Sequence, residues 1–214
     1  MAEPSGPVCA LCGVTACNAE PGTKQPPSFC PMLAEEELLK RVEEAYLEQE
    51  DLHRLILESA RTEAAGYGRA TRVEEIMDFA RRIGARKLGI AHCIGLMQEA
   101  KVAQQIFTAH GFEVCSVCCK VGSIPKEEVG LAEEEKIRPG QYEPVCNPVA
   151  QAALLAEAGT QLNVVVGLCV GHDSLFFLHS KAPVTVLVAK DRVLGHNPVA
   201  ALYTAHSYYS RLRR

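Results

Sequence analysis

The sequence predicts an α/β fold: a Rossmann-like three-layer domain with a parallel sheet, preceded by an N-terminal Cys-rich arm and a long helix. Three observations predict it. From residue 71 onward, short apolar runs alternate with helical patterns, which is the signature of repeated βαβ units. Those runs are continuously apolar, as parallel strands covered on both faces should be. Residues 1–33, rich in Pro, Gly and Cys, show no period of either kind and need a staple to hold a shape.

The elements follow in order. Across residues 35–63, Leu38, Val42, Ala45, Leu52, Ile56 and Ala60 recur at helical spacing among charged residues, predicting one amphipathic helix that Gly66 and Gly68 end. Thr71-Arg72-Val73-Glu74 is a capping box, and Val73, Ile76, Met77, Ala80 and Ile83 continue along one face to Gly84. Residues 87–92 read as a buried strand, 96–110 as a helix ended by Gly111, and 112–117 as the next strand. Residues 119–145, with Pro125, Pro139 and Gly140, form a long irregular connection with room for one short helix; connections beyond ~15 residues are usually functional or disordered. Asn147 caps a helix with Pro148 at its first position, running to Gly159. Residues 162–168 are the clearest strand, followed by a helix over 174–179 and a strand over 184–189. The expected organisation is a metal-binding arm (1–33), a connecting helix (34–70) and the Rossmann-like domain (71–214).

Bulk properties narrow the function. Of 214 residues, 48% are hydrophobic and the formal net charge is -4, which argues against nucleic acid or an anionic membrane surface as partner. Trp is absent, removing the best platform for stacked bases. The first residues show neither a basic start nor an apolar core, so no secretory signal is expected, and no apolar run approaches ~18 residues. A cytoplasmic location follows as the expectation. In that reducing compartment, cysteine-rich patterns mean metal binding or catalysis in preference to disulfides.

The ten cysteines form two sets. Cys9, Cys12, Cys17 and Cys30 offer four thiolates in a coreless arm, suiting a tetrahedral zinc or an iron–sulfur cluster. Of the others, Cys93, Cys118, Cys119 and Cys169 each follow or end a predicted strand, and Cys146 precedes a helix entry. Ligands in open parallel sheets collect at the carboxyl ends of the strands, so these thiols are candidates for a 4Fe–4S cluster, with an open iron site if only three of them ligate. Taken singly, each also suits a small buried apolar position. Cys115 lies within its strand and is the weakest member; its C-x-x-C spacing to Cys118 lacks a clear helix behind it for thioredoxin-like chemistry.

Other residues are candidate ligands or substrate contacts. His92 adjoins Cys93, and His172 and Asp173 share a glycine-bounded loop with Cys169. Asn147-Pro148-Val149-Ala150 recurs as Asn197-Pro198-Val199-Ala200, both reading as an N-cap and first helical turn. Cys146 stands before one copy and His196 before the other.

Cys9-x2-Cys12-x4-Cys17, the segment Gly89 to Leu96, Cys146-Asn147-Pro148 with Gln151-Ala152, Gly167 to Asp173, and Asp191 to Pro198 together resemble a prokaryotic domain-of-unknown-function family. Its members are labelled uncharacterised metal-binding proteins. The resemblance spans most of the chain and implies metal binding, with no reaction or metal identity attached.

The expected function is therefore a cytoplasmic metal-binding protein of iron–sulfur type. Its redox, electron-transfer or sulfur chemistry would occur at the cysteine rim, with a redox partner or a small-molecule ligand. Two alternatives stand beside it: a zinc-stapled module that binds a small ligand, and a cysteine hydrolase with Cys169 as nucleophile, which would need a positioned base and lysine on neighbouring strands.

Overall fold

The computed structural model describes residues 6–213 and divides the chain into two compact units, Met1–Arg61 and Thr62–Arg214. In the first unit, short 3-10 turns at Cys9–Leu11 and Ala16–Asn18 precede the one-turn helix α1 (Pro31–Ala34). Helix α2 covers Glu36–Glu48, and α3, Glu50–Gly66, carries the chain into the second unit. The single helix expected over 35–63 is thus broken at Gln49, whose backbone turns extended (ψ 106°). The break leaves the Tyr46 carbonyl without its usual helical donor, and the His53 imidazole bonds it at 2.9 Å. Hydrophobic period alone does not expose such a break, because the apolar face resumes in phase on the far side.

In the second unit, α4 (Arg72–Arg82) begins with the capping box, the Thr71 side chain bonding the Glu74 backbone and Glu74 returning to the Thr71 backbone. Then follow β1 (Lys87–His92), α5 (Met97–Ala109), β2 (Glu113–Cys118), α6 (Pro148–Glu157), β3 (Leu162–Val166), α7 (His172–His179), β4 (Val184–Val188) and α8 (Val199–Tyr203). The four strands form one all-parallel sheet in the order β2-β1-β3-β4. This is an α/β architecture of Rossmann-like type.

Helices cover both faces. Ser116 of β2 bonds Gln104 of α5 at 2.8 Å, whereas a Cβ on Gly89 of β1 would lie 3.1 Å from the Leu155 methyls of α6. Gly89 pairs with Cys115 and Ile90 with Ser116, so the two helices pack on opposite faces of β1 and β2. The core is Leu88 and Ile90, Val164 to Val166, Phe107, Leu155 and Phe176, all buried. Each such side chain contributes roughly 1.5–3 kcal/mol on burial. Arg72 of α4 donates to the Val186 carbonyl at 2.5 Å, engaging a carbonyl on the β4 edge.

The connection 119–145 is neither a helix nor disordered. Two 3-10 turns, Lys126–Val129 and Glu133–Glu135, sit inside a loop whose ends run side by side. Lys126 N bonds Glu143 O at 3.0 Å, Val145 N bonds Ile124 O at 2.8 Å, and the largely buried Lys126 and Glu143 side chains pair at 2.6 Å. The excursion therefore leaves the end of β2 and returns beside it.

Among the described residues, no helix is long and apolar enough to cross a membrane.

Candidate functional site

The sheet order creates a switch point, since the chain crosses from β1 to β2 on one side and reaches β3 on the other. Ligands in open α/β sheets bind in the crevice beyond the strand ends at such a point. The first residue after β1 is Cys93, and the first after β2 is Cys119. Main-chain hydrogen bonds hold these residues in register. Cys119 N donates to His92 O at 2.8 Å, and Cys93 N donates to Val166 O at 3.1 Å. From the returning loop, Asn147 N donates to Cys119 O at 2.7 Å, which brings Cys146 in on the other flank. Cys119 is thereby tied to the neighbours of both other cysteines, although the three lie far apart in sequence.

Their side chains meet. The Cys119 thiol interacts with those of both Cys93 and Cys146. Ile94 N donates to the Cys119 sulfur at 3.3 Å and Gly95 N to the Cys93 sulfur at 3.4 Å, both from the turn that enters α5. Lys190, two residues past β4, places its ammonium 3.5 Å from the Cys93 sulfur. A Cβ on Gly95 would stand 3.2 Å from that ammonium, so glycine leaves the space the lysine uses.

These contacts set the protonation of the trio. The hydrogen bond from Cys119 is the largest influence on Cys93, followed by opposing burial, Gly95 N–H and Lys190, and together they hold its thiol down to about 4. Cys146 is held down to about 5, again chiefly by Cys119, against burial, with Lys120 and His172 assisting. Cys119 is pushed up, first by Cys146, then by Cys93 and burial, and it keeps its proton. One S–H donates to one sulfur at a time, so the three thiols titrate as a unit. The folded-state values of Cys93 and Cys146 lie below an ordinary thiol's ~8.5. Their stabilisation is therefore complete above that pH and is lost as pH falls through about 5 and about 4. Ultraviolet thiolate absorbance of the reduced, metal-free chain is expected to persist at pH ~6.5, where free thiols are protonated. Loss of that signal by neutral pH would contradict the arrangement.

Other candidates lie elsewhere. Cys118 ends β2 and by strand alternation stands on the face of Ser116, opposite Cys119; Cys115 is within β2, opposite Gly89. Cys169 accepts from the Arg192 guanidinium at 3.0 Å. His92 is buried with its Nδ1 on the Cys93 carbonyl at 3.1 Å. It lines a cavity of about 790 Å³ along α5 with Met97, Lys101, Gln104 and Ser116, a space bordered by no thiol. His172 opens α7, acts electrostatically on Cys146, and its buried Nδ1 has no hydrogen-bond partner among the described residues. Asp173 does not cap α7, whose N-cap is Gly171; its carboxylate takes Ser174 N instead.

The two Asn-Pro-Val-Ala copies diverge. Asn147 caps α6 through Ala150 N at 3.0 Å, whereas α8 starts after Pro198 with no side-chain cap. His196 closes a turn with Asp191, its Nδ1 accepting Asp191 N at 3.2 Å. Asn147→Ala is expected to cost about 1 kcal/mol through loss of the cap, read as a lower urea midpoint.

In the arm, Cys9 and Cys17 are exposed, and Cys12 and Cys30 half-buried. Among the described residues, no three His, Cys, Asp or Glu side chains are arranged to hold a single metal ion.

Four contributors escape a search for cysteines and histidines. Lys190, Lys120 and Arg192 bring positive charge to thiols, and the fully buried Gln151 donates to His92 O and Val117 O at 3.2 and 2.7 Å, bracing both strand ends. The strand-end rule applied to lysine at the end of β4 would have found Lys190.

Comparison with known proteins adds the family. Residues 30–187 match the model described as "Protein of unknown function (DUF1847)". The chain is 46% identical over 170 residues to uncharacterized protein MJ0455 of Methanocaldococcus jannaschii, covering 79% of this chain and 86% of that one. No solved structure matches.

Proposed function

The chain belongs to this family of unknown function, and we propose that it works through a metal centre at the carboxyl rim of the sheet. Cys93, Cys119 and Cys146 would hold an iron–sulfur cluster of 4Fe–4S type for redox, electron-transfer or sulfur chemistry. The observation that carries the reading is the meeting of three thiols from three separate segments, pinned by main-chain bonds through Cys119. All three lie inside the segment matched by the family model.

The donor chemistry fits such a group. Thiolates are the usual ligands of iron–sulfur clusters, and each iron takes its own thiolate, so a cluster does not require three donors around one point. Backbone N–H groups and the Lys190 ammonium directed at the sulfurs are the interactions that tune cluster potentials. The orphaned, buried His172 Nδ1, on a side chain that acts electrostatically on Cys146, is a polar atom that a bound group would satisfy.

When bound, the cluster would supply one-electron transfer, with an iron position left open by a three-thiolate set. The chain's own part is to present Cys93 and Cys146 already deprotonated and to release the Cys119 proton on loading. Lys190 and Lys120 offset the accumulated negative charge, and burial of Cys93 and Cys119 keeps water from two of the sulfurs.

Purification without oxygen followed by iron and sulfide analysis tests this. The expected product is brown, with broad absorbance near ~400 nm and ~4 iron and ~4 sulfide per chain. Colourless protein carrying zinc or no metal would overturn it. The hydrolase alternative gains little support from the geometry, because the neighbour of Cys169 is a guanidinium, which is not a base.

A further inference from the structure

We propose that the cavity beside α5 is a binding site for a small polyhydroxylated carboxylate of the sugar-acid class. The site lies on the sheet face opposite Cys93 and Cys119 and does not rest on the cluster reading.

Its floor is the strongest observation. His92 ends β1, at the rim where ligands of open parallel sheets collect, and it is 6% exposed. Register pairs Ile90 with Ser116 and His92 with Cys118, so the imidazole stands on the α5 face while Cys93 and Cys119 stand on the other. Its Nδ1 donates to the Cys93 carbonyl at 3.1 Å, which holds the ring and leaves Nε2 as the free position. Nε2 makes no hydrogen bond among the described residues and is not sealed from solvent, although the ring that carries it is buried. A buried imidazole with one nitrogen anchored and the other unpartnered, on the wall of a cavity of about 790 Å³, is a ready contact for a ligand. A ligand hydroxyl both donates and accepts, so it suits Nε2 in either protonation state.

The remaining walls define the class. Ser116 Oγ donates to Gln104 Oε1 at 2.8 Å, which leaves the Gln104 amide N–H groups as donors. Gln98 and Gln105 add two more amides, each able to donate and to accept, as a row of hydroxyls requires. Lys101 lies one turn from Gln104 on α5 and forms no ion pair among the described residues. No carboxylate borders the space among the described residues. One cation without a counter-charge selects one anionic group, and the amides and imidazole select hydroxyls beside it.

Isothermal titration calorimetry of the full chain, prepared without oxygen, tests this with gluconate, galactonate and glucuronate as probes. Glucitol keeps the hydroxyls without the carboxylate, and hexanoate keeps the carboxylate without the hydroxyls. At least one sugar acid is expected to bind with a Kd of about 1 mM or tighter, and both controls at least about tenfold more weakly. Lys101→Met, at an exposed position, should weaken that sugar acid about fivefold, the worth of one exposed ion pair. Lys181→Met, outside the lining, should leave it unchanged. Binding by none of the sugar acids would overturn the site. Glucitol or hexanoate binding equally well would overturn the class, and Lys101→Met behaving as Lys181→Met does would overturn the placement in this cavity. Iron and sulfide are measured separately on the same preparation, so failure here and failure of the cluster reading are distinguishable.

Discussion

Cys119→Ser is expected to strip the proposed iron and sulfide from the anaerobically prepared protein while its far-ultraviolet dichroism stays that of the wild type. The expectation follows from the position of Cys119 in the trio. Its sulfur is the one that interacts with both other thiols, and its backbone is the one bonded to the neighbours of both. Serine keeps those backbone bonds and accepts the Ile94 N–H in place of sulfur, so the frame survives while the soft donor is lost. Outer-shell changes around metal sites already cost about 10–100-fold in affinity, and loss of a direct ligand should exceed about 100-fold. Cys118→Ser, one residue away on the opposite face, should leave the metal content unchanged. Full iron in Cys119→Ser, or equal loss in both variants, would refute the assignment of the rim trio.

Gly89→Ala is expected to lower stability by about 3 kcal/mol, the upper part of the range for overpacking a core. A Cβ there would fall 2.1 Å from the Asn163 Oδ1 and 3.1 Å from both Leu155 methyls. Asn163 is 1% exposed and held on both sides, its Oδ1 accepting from Thr160 at 2.8 Å and its Nδ2 donating to Ser180 at 2.9 Å. It has no free volume to turn into, and turning would leave buried polar atoms unpaired. At about 2–4 °C per kcal/mol for a domain of this size, the fall in Tm is roughly 6–12 °C. An unchanged melting curve would mean that the central strands yield more easily than this packing implies.

The strands were legible where burial makes a sequence continuously apolar. Residues 87–92 coincide with β1, and the strand expected over 162–168 is β3 shortened to Val166. Its end is set by Gly167, whose φ of +68° turns the chain where a Cβ would strike Leu96 at 2.7 Å. That close approach is a tertiary fact with no local signature. The placement of Cys93 and Cys119 just past strand ends was readable from the same apolar runs. Which of the adjacent Cys118 and Cys119 enters the trio was not, since a one-residue difference in where β2 stops decides it. Cys146 could be placed at a helix entry, but its approach to Cys119 depends on the closed path of residues 119–145. The break at Gln49 and the missing cap at Asn197 show the opposite limit, where a repeated pattern continues and the backbone does not.

That closed path has an evolutionary corollary. Because the loop 119–145 is zipped at its base, from Ile124 and Lys126 across to Glu143 and Val145, the distance between Cys119 and Cys146 is fixed by the stem and is indifferent to what lies beyond it. Lengthening, trimming or redecorating the tip around Arg138 to Gln141 would cost little loop-closure entropy and would leave the sulfurs where they are. The tip is thus the part of this connection that could change most while the two cysteines keep their spacing.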